Sequence, residues 1–170
     1  MSSSNSVGLS QDLNRFESDL PSSLTFYQVF RDVLVKWAYL PSEYIGTSSE
    51  KTIDYPIELG VRLSGTLKST LLIRCQLEFG RLLAESALGD DANDEKGVDS
   101  LKELANLFCG HLLTSCWPTH SFDHFIPSNI TRESWPKGAL GVSSFLNVDN
   151  HPVEIRLWIE PGRSAKQEAR

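Results

Sequence analysis

Between Phe26 and Trp37 the apolar residues recur at steps of three and four: Phe26, Val29, Phe30, Val33, Leu34 and Trp37. That spacing predicts an amphipathic helix running to about Leu40, with Ser22 or Ser23 as its N-cap and Pro41 as its stop. A polar loop through Tyr44 and Gly46 is expected next. From Ile53 to Gln76 the period changes to two. Ile57, Leu59, Val61 and Leu63 alternate with Glu58, Gly60, Arg62 and Ser64, and Ser69 to Gln76 reads as the returning strand of a hairpin turned at Ser64-Gly65-Thr66. Leu77 to Leu88 is helical in pattern and stopped by Gly89. Asp90 to Gly97 reads as an acidic, solvated loop. Val98 to Trp117 is the clearest helix of the chain, and Pro118 ends it. Phe122 to Ile130 and Leu140 to Val148 are expected strands. Asp149-Asn150-His151-Pro152 makes a turn, and Val153 to Ile159 returns.

Helices alternating with hairpins imply an α+β class: an antiparallel sheet built from hairpins, with helices packed on one face. The pattern divides the chain into a flexible arm over residues 1–21, with a short helical turn near Leu13 and Phe16, a domain over 22–160 and a polar tail over 161–170. No internal repeat, heptad run or low-complexity block is evident.

Composition narrows the function classes. The chain has 170 residues, 40% of them hydrophobic and 22% charged, enough apolar material for a core. Sixteen basic against twenty-two acidic residues give a net charge of -6, the wrong balance for nucleic acid. No apolar run reaches the roughly 18 residues of a membrane span, and MSSSNSVGLSQ lacks the regions of a signal peptide. The expectation is a soluble cytoplasmic protein without a membrane partner. Cys75, Cys109 and Cys116 are odd in number and show no CxxC spacing, so buried thiols are expected rather than a disulfide scaffold.

The helix over DSLKELANLFCGHLLTSCW carries the chemistry. At about 100° per residue, Leu101, Leu104, Ala105, Phe108, Leu112 and Cys116 share one face, which must be the core side. Asp99, Glu103, Asn106, Gly110 and Thr114 line the opposite face. Asn is a mediocre helix former, and a mid-helix Gly costs about 1 kcal/mol relative to Ala. Both weaken an exposed face without helping the core; access for another protein's backbone beside Gly110 is a compensation. The string E-x-x-N by itself is ordinary.

The whole segment resembles the CheC/CheX/FliY chemotaxis phosphatases, and within them the CheX type. Their signature is an Asp or Ser, three residues, Glu, two residues and Asn, followed later by a Pro. Asp99, Glu103 and Asn106 match it, and Asn106 to Gly110 matches the Asn-x-x-x-Gly continuation. Pro127 follows Asn106 with twenty residues between, slightly fewer than the family pattern. A second E-x-x-N, present on the first helix of CheC-type proteins, is absent here: the corresponding segment is Tyr27-Gln28-Val29-Phe30-Arg31-Asp32.

The resemblance implies hydrolysis of the aspartyl phosphate on a CheY-like response-regulator receiver domain. In that reading Asn106 positions the attacking water and Glu103 pairs with the receiver's lysine. Asp99 reaches toward basic groups of the partner, and Gly110 keeps the docking surface flat. The protein has no cofactor of its own, because the receiver supplies the Mg²⁺. A homodimer is also implied, for which Trp158 and the final strand are the sequence's own hint. The rival within the same fold is a non-catalytic receiver-binding or scaffold module.

Other chemistries are poorly supported. Cys109, His111, Cys116, His120 and His124 fall close together in sequence, but Cys109 and His111 point about 160° apart on a helix and Cys116 faces the core. No metal site is assigned. There is no G-x-S-x-G elbow, no catalytic Cys context and no Gly-rich phosphate loop. His151 reads as a surface residue, and Trp117, Trp135 and Trp158 as anchors of the core or of an interface.

Overall fold

The apolar stripe of the first helix ends where the backbone chemistry says it should. In the computed structural model, α1 spans Ser23–Ala38, and the Ser22 hydroxyl accepts from Thr25 N–H at 3.1 Å. Tyr39 closes it in the left-handed region (φ 55°), just before Pro41. The structure describes residues 20–160, apart from 49–52, 66–67, 90–91, 124–125 and 138–139. The expected arm and its turn at Leu13 and Phe16, the polar tail, Thr66 of the first hairpin turn and His124 lie outside the described residues.

The remaining elements are β1 (Ser42–Gly46), β2 (Ile57–Gly65), β3 (Lys68–Cys75), α2 (Leu77–Leu88), α3 (Asp94–Cys116), β4 (Phe122–Asp123), β5 (Ser128–Asn129), β6 (Leu140–Val148) and β7 (His151–Glu160). The sheet is antiparallel throughout, in the order β1-β6-β7-β3-β2-β4, with β5 also on β2. Helices α1, α2 and α3 share one core against one sheet face, as the α+β pattern implies; it includes Phe26, Phe30, Val61, Ile73, Phe79, Leu104, Phe108 and Leu157.

The halves of the chain are interleaved. Hairpins β2–β3 and β6–β7 meet at the centre through β3 and β7. Helix α1 leads the first hairpin but lies over β6, and α3 leads the second hairpin but lies over β2. The short strands follow the same rule: β1 adds to β6, while β4 and β5 add to β2. This is an approximate two-fold repeat, and the sequence reading found none, because it preserves spacing and packing rather than residue identity.

Three expected elements differ. The loop through Tyr44 and Gly46 is edge strand β1, and its order comes from distant partners: Tyr44 pairs with Leu146, and the Tyr27 hydroxyl donates to Ser42 O at 2.7 Å. The acidic segment 90–97 becomes helix from Asp94 onward. Asn93 caps it by accepting from Lys96 N–H at 2.9 Å, and Asp94 and Glu95 suit the positive end of a helix dipole. Phe122 to Ile130 forms only the two-residue strands β4 and β5.

Beyond β5 the chain crosses the sheet's outer face. A Cβ at Gly60 would lie 1.6 Å from Ile130 Cδ1, so the missing side chain of Gly60 is the notch that admits Ile130. Along this face runs a lateral row, Glu58 beside Arg74 beside Glu154, set by the strand registers. Arg74 is 5% exposed and Glu154 0%. Arg74 Nε donates to Glu58 at 3.0 Å, and both Arg74 and Arg156 pair with Glu154. Trp135 covers the row, with Arg74, Arg132 and Arg156 at 5.2, 5.6 and 5.1 Å from its ring. It also covers Trp158 at 5.3 Å, and β7 is bonded to strands on both sides. Trp158, which hinted at an oligomer surface, thus lies against Trp135 and stays partly exposed.

Two substitutions test this packing. Arg74→Ala leaves Glu154 buried without its cross-strand cation and is expected to cost about 3–5 kcal/mol in urea unfolding. A Cβ on Gly80 would stand 2.8 Å from Gly97 O, where α2 and α3 touch backbone to backbone. Gly80→Ala should therefore lower stability by roughly 1–3 kcal/mol, measured the same way.

Candidate functional site

Helix α3 is held from beneath by aromatic packing. Phe108 is fully buried, with its ring 5.3 Å from Phe26 and 4.8 Å from Phe30. Leu101, Leu104, Ala105 and Leu112 are buried alongside it, as the helical projection requires. Cys116 is only half-buried near the helix end. Anchoring one face in this way fixes the rotation of the other face, which is how a helix projects side chains reproducibly.

On the outward face Asp99, Glu103, Gly110 and Thr114 are exposed, and Asn106 is partly buried. The structure thus brings the four residues Asp99, Glu103, Asn106 and Gly110 onto one stripe, with Glu103 and Asn106 one turn apart. The Asn106 carboxamide oxygen is inaccessible and, among the described residues, has no hydrogen-bond partner. Such an orphaned acceptor costs roughly 1–3 kcal/mol of desolvation. Among the described residues a Cβ on Gly110 would meet nothing within 4 Å, so none of them requires a glycine there. The Thr114 hydroxyl turns back onto its own helix, donating to Gly110 O and His111 O, each at 3.1 Å.

Lys102 was missed by the sequence reading. Its ammonium sits 3.0 Å from Asp99 Oδ1, so Asp99 is already matched by a cation of its own helix. The signal was legible as an i,i+3 acid–base spacing.

Among the described residues the other nominated groups do not form a centre. Cys75 and Cys109 are buried, and desolvation pushes the Cys109 thiol up to about 11 and the Cys75 thiol higher still, so both stay protonated and unreactive. Among the described residues no three His, Cys, Asp or Glu side chains come together as metal ligands. His120 stacks on Phe122 with 6.2 Å between ring centres. Pro127 is buried between β4 and β5. Among the described residues no helix is long and apolar enough to cross a membrane.

No protein-family model and no curated protein matches the sequence. Solved structures do match the fold. CheX of Borrelia burgdorferi, in a complex with CheY, BeF3 and Mg²⁺, superposes with a TM-score of 0.63 at 19% identity, covering 79% of this chain and 95% of that one. CheX of Vibrio vulnificus gives 0.65 at 15% identity, with 79% and 96% covered. The middle domain of FliM from Vibrio alginolyticus gives 0.54 at 14% identity, over 85% and 93% of the chains. The chain therefore has the fold of the CheX and CheC-like chemotaxis proteins.

Proposed function

We propose that this protein is a CheX-type phosphatase that hydrolyses the aspartyl phosphate of a CheY-like receiver domain. The observation that carries the proposal is the combination on α3 of an orphaned Asn106 amide and an unneeded Gly110 on one outward face. Both lower the stability of the helix that bears them, and neither improves the core. A face that relinquishes stability in this way is shaped for something outside the chain.

Phosphoryl transfer depends on alignment and electrostatics far more than on new covalent chemistry from the protein. In the proposed complex Asn106 enters the receiver's active site and orients the attacking water. A carboxamide suits this task, because it both donates and accepts and adds no negative charge beside the phosphate. Glu103 pairs with the receiver's lysine and sets the helix in register. Asp99 extends the acidic edge toward basic groups of the receiver, exchanging its Lys102 contact for an intermolecular one. Gly110 leaves room for the receiver's backbone. The receiver carries the Mg²⁺, in keeping with the Borrelia CheX structure that contains CheY and the metal together. No step uses a cofactor belonging to this chain, and the chemistry belongs to cytoplasmic response-regulator signalling.

The test is the decay of a phosphorylated receiver with and without the protein. Wild type should accelerate it. Asn106→Ala should reduce that acceleration by about a hundredfold or more, while the melting temperature holds or rises because the orphaned acceptor is gone. Glu103→Ala should lower both receiver affinity and rate. Binding without accelerated decay would move the protein to the non-catalytic docking role, and unfolding of Asn106→Ala would sink the surface-site assignment. In a separate measurement Gly110→Ala should stabilise the helix by about 1 kcal/mol yet slow receiver decay, the signature of a glycine kept for docking.

A further inference from the structure

Strand β2 outruns its neighbour on the outer edge. β5 pairs with it at Leu59 and Gly60, and Ile130 N–H donates to Glu58 O at 2.9 Å. The chain then turns onto the outer face of the sheet, and the first residues of β2 border a cavity of about 460 Å³. Leu59, Ile130 and, from α3, Val98 and Leu101 give it apolar walls. That size is ordinary for a small-molecule site. None of Asp99, Glu103, Asn106 or Gly110 lines it, so it is separate from the outward stripe of α3.

The polar groups of the cavity differ in what they already bind. Glu58 accepts from Arg74 at 3.0 Å. The Glu133 carboxyl is held below the usual carboxylate range by its own backbone N–H and then by the Thr131 hydroxyl, so its charge is already stabilised. Arg132 is less well matched. Among the described residues its nearest carboxylate is Glu58 at 3.8 Å, and its side chain is 69% exposed. A planar guanidinium in that setting has donors to offer, and a carboxylate takes them in pairs.

Tyr55 supplies a second donor. It lines the same cavity and is 7% exposed, and among the described residues its hydroxyl has no hydrogen-bond partner. The ring is held in place by the Arg74 guanidinium, 4.8 Å from its centre. Burial first, and then the charge of Glu154, push the Tyr55 pKa up to about 12, so the hydroxyl keeps its proton and donates. It is closed to bulk water, so an acceptor carried in by a ligand meets no competing solvent there.

We propose that this cavity binds a small monocarboxylic acid with an apolar body, its carboxylate paired with Arg132 and accepting from the Tyr55 hydroxyl. The body lies against Leu59, Val98, Leu101 and Ile130. A cationic ligand is disfavoured, because Glu58 and Glu133 are already matched and Arg132 would repel it. The proposal stands independently of the phosphatase reading.

Amide NMR titration of the full chain with cinnamate tests it, with cinnamamide as the neutral counterpart and cinnamylamine as the cationic one. Cinnamate should give saturable shifts at millimolar concentration, centred on Leu59, Val98, Leu101 and Ile130. Cinnamamide should bind about tenfold more weakly or worse, and cinnamylamine should give no saturable shift. Arg132→Ala should weaken cinnamate binding by about tenfold or more, and Tyr55→Phe by about fivefold. The melting temperature of Tyr55→Phe should hold or rise, because an unpartnered hydroxyl is gone. Val98→Phe fills the cavity from the flank of α3, changes no polar group and should abolish binding. Absence of saturable binding overturns the proposal, as do equal affinities for acid and amide or shifts centred elsewhere. Folded Arg132→Ala or Tyr55→Phe chains that bind cinnamate as tightly as wild type overturn it too. No receiver is present in these titrations, so failure here and failure of the phosphatase reading are separately visible.

Discussion

The pairing of Arg74 with Glu154 across β3 and β7 joins the two hairpins of the sheet, and the rest of the molecule hangs on that junction. Both groups are desolvated, so a slip of one residue would carry each to the helix-facing side among Leu71, Ile73, Ile155 and Leu157. The same slip would turn Leu71, Ile73, Ile155 and Leu157 away from the helices, so buried charge and apolar face specify one register together. Glu58 and Arg156 complete the row, and Trp135 closes it from above. Once the hairpins are in register, each leading helix has one place to lie: α1 over β6 and α3 over β2.

That placement settles which face of α3 points outward. Its buried face is clasped by Phe26 and Phe30, so the rotation of the helix is set by aromatic contacts on the opposite side from the site. The outward stripe needs no further support. It is a rigid display of short side chains, with the Asn106 acceptor left unsatisfied and a space left open at Gly110. Positioning of this kind suits a reaction in which a partner brings the phosphate and the metal and the helix contributes alignment.

The interleaved halves show how one architecture yields two surfaces. Where α3 presents acid, amide and glycine, α1 presents Leu24, Gln28, Arg31 and Val35 on the same turns. The buried positions of the two helices coincide because the sheet beneath them is nearly two-fold, whereas their outward positions are free of that constraint and have diverged. One face carries acid, amide and glycine, and the other carries Leu24 and Val35 at its ends, both about half exposed.

The helices and the main hairpins were legible in the sequence, because period 3.6 and period 2 are local properties that survive without knowledge of partners. The stripe from Asp99 to Gly110 was legible for the same reason, since a helix alone decides which of its side chains share a face. What the chain could not announce was non-local. β1 carries no alternation of its own and becomes a strand only because β6 offers it an edge. Trp158 gains a ring neighbour only because the crossover beyond β5 brings Trp135 against it. Lys102 matched Asp99 at a readable spacing, yet the orphaned oxygen of Asn106 and the empty space beside Gly110 exist only once the neighbouring side chains are in place. Sequence by itself determined the helical stripe that bears the proposed chemistry; tertiary structure decided which faces stay open, because exposure depends on what the rest of the chain places beside each residue.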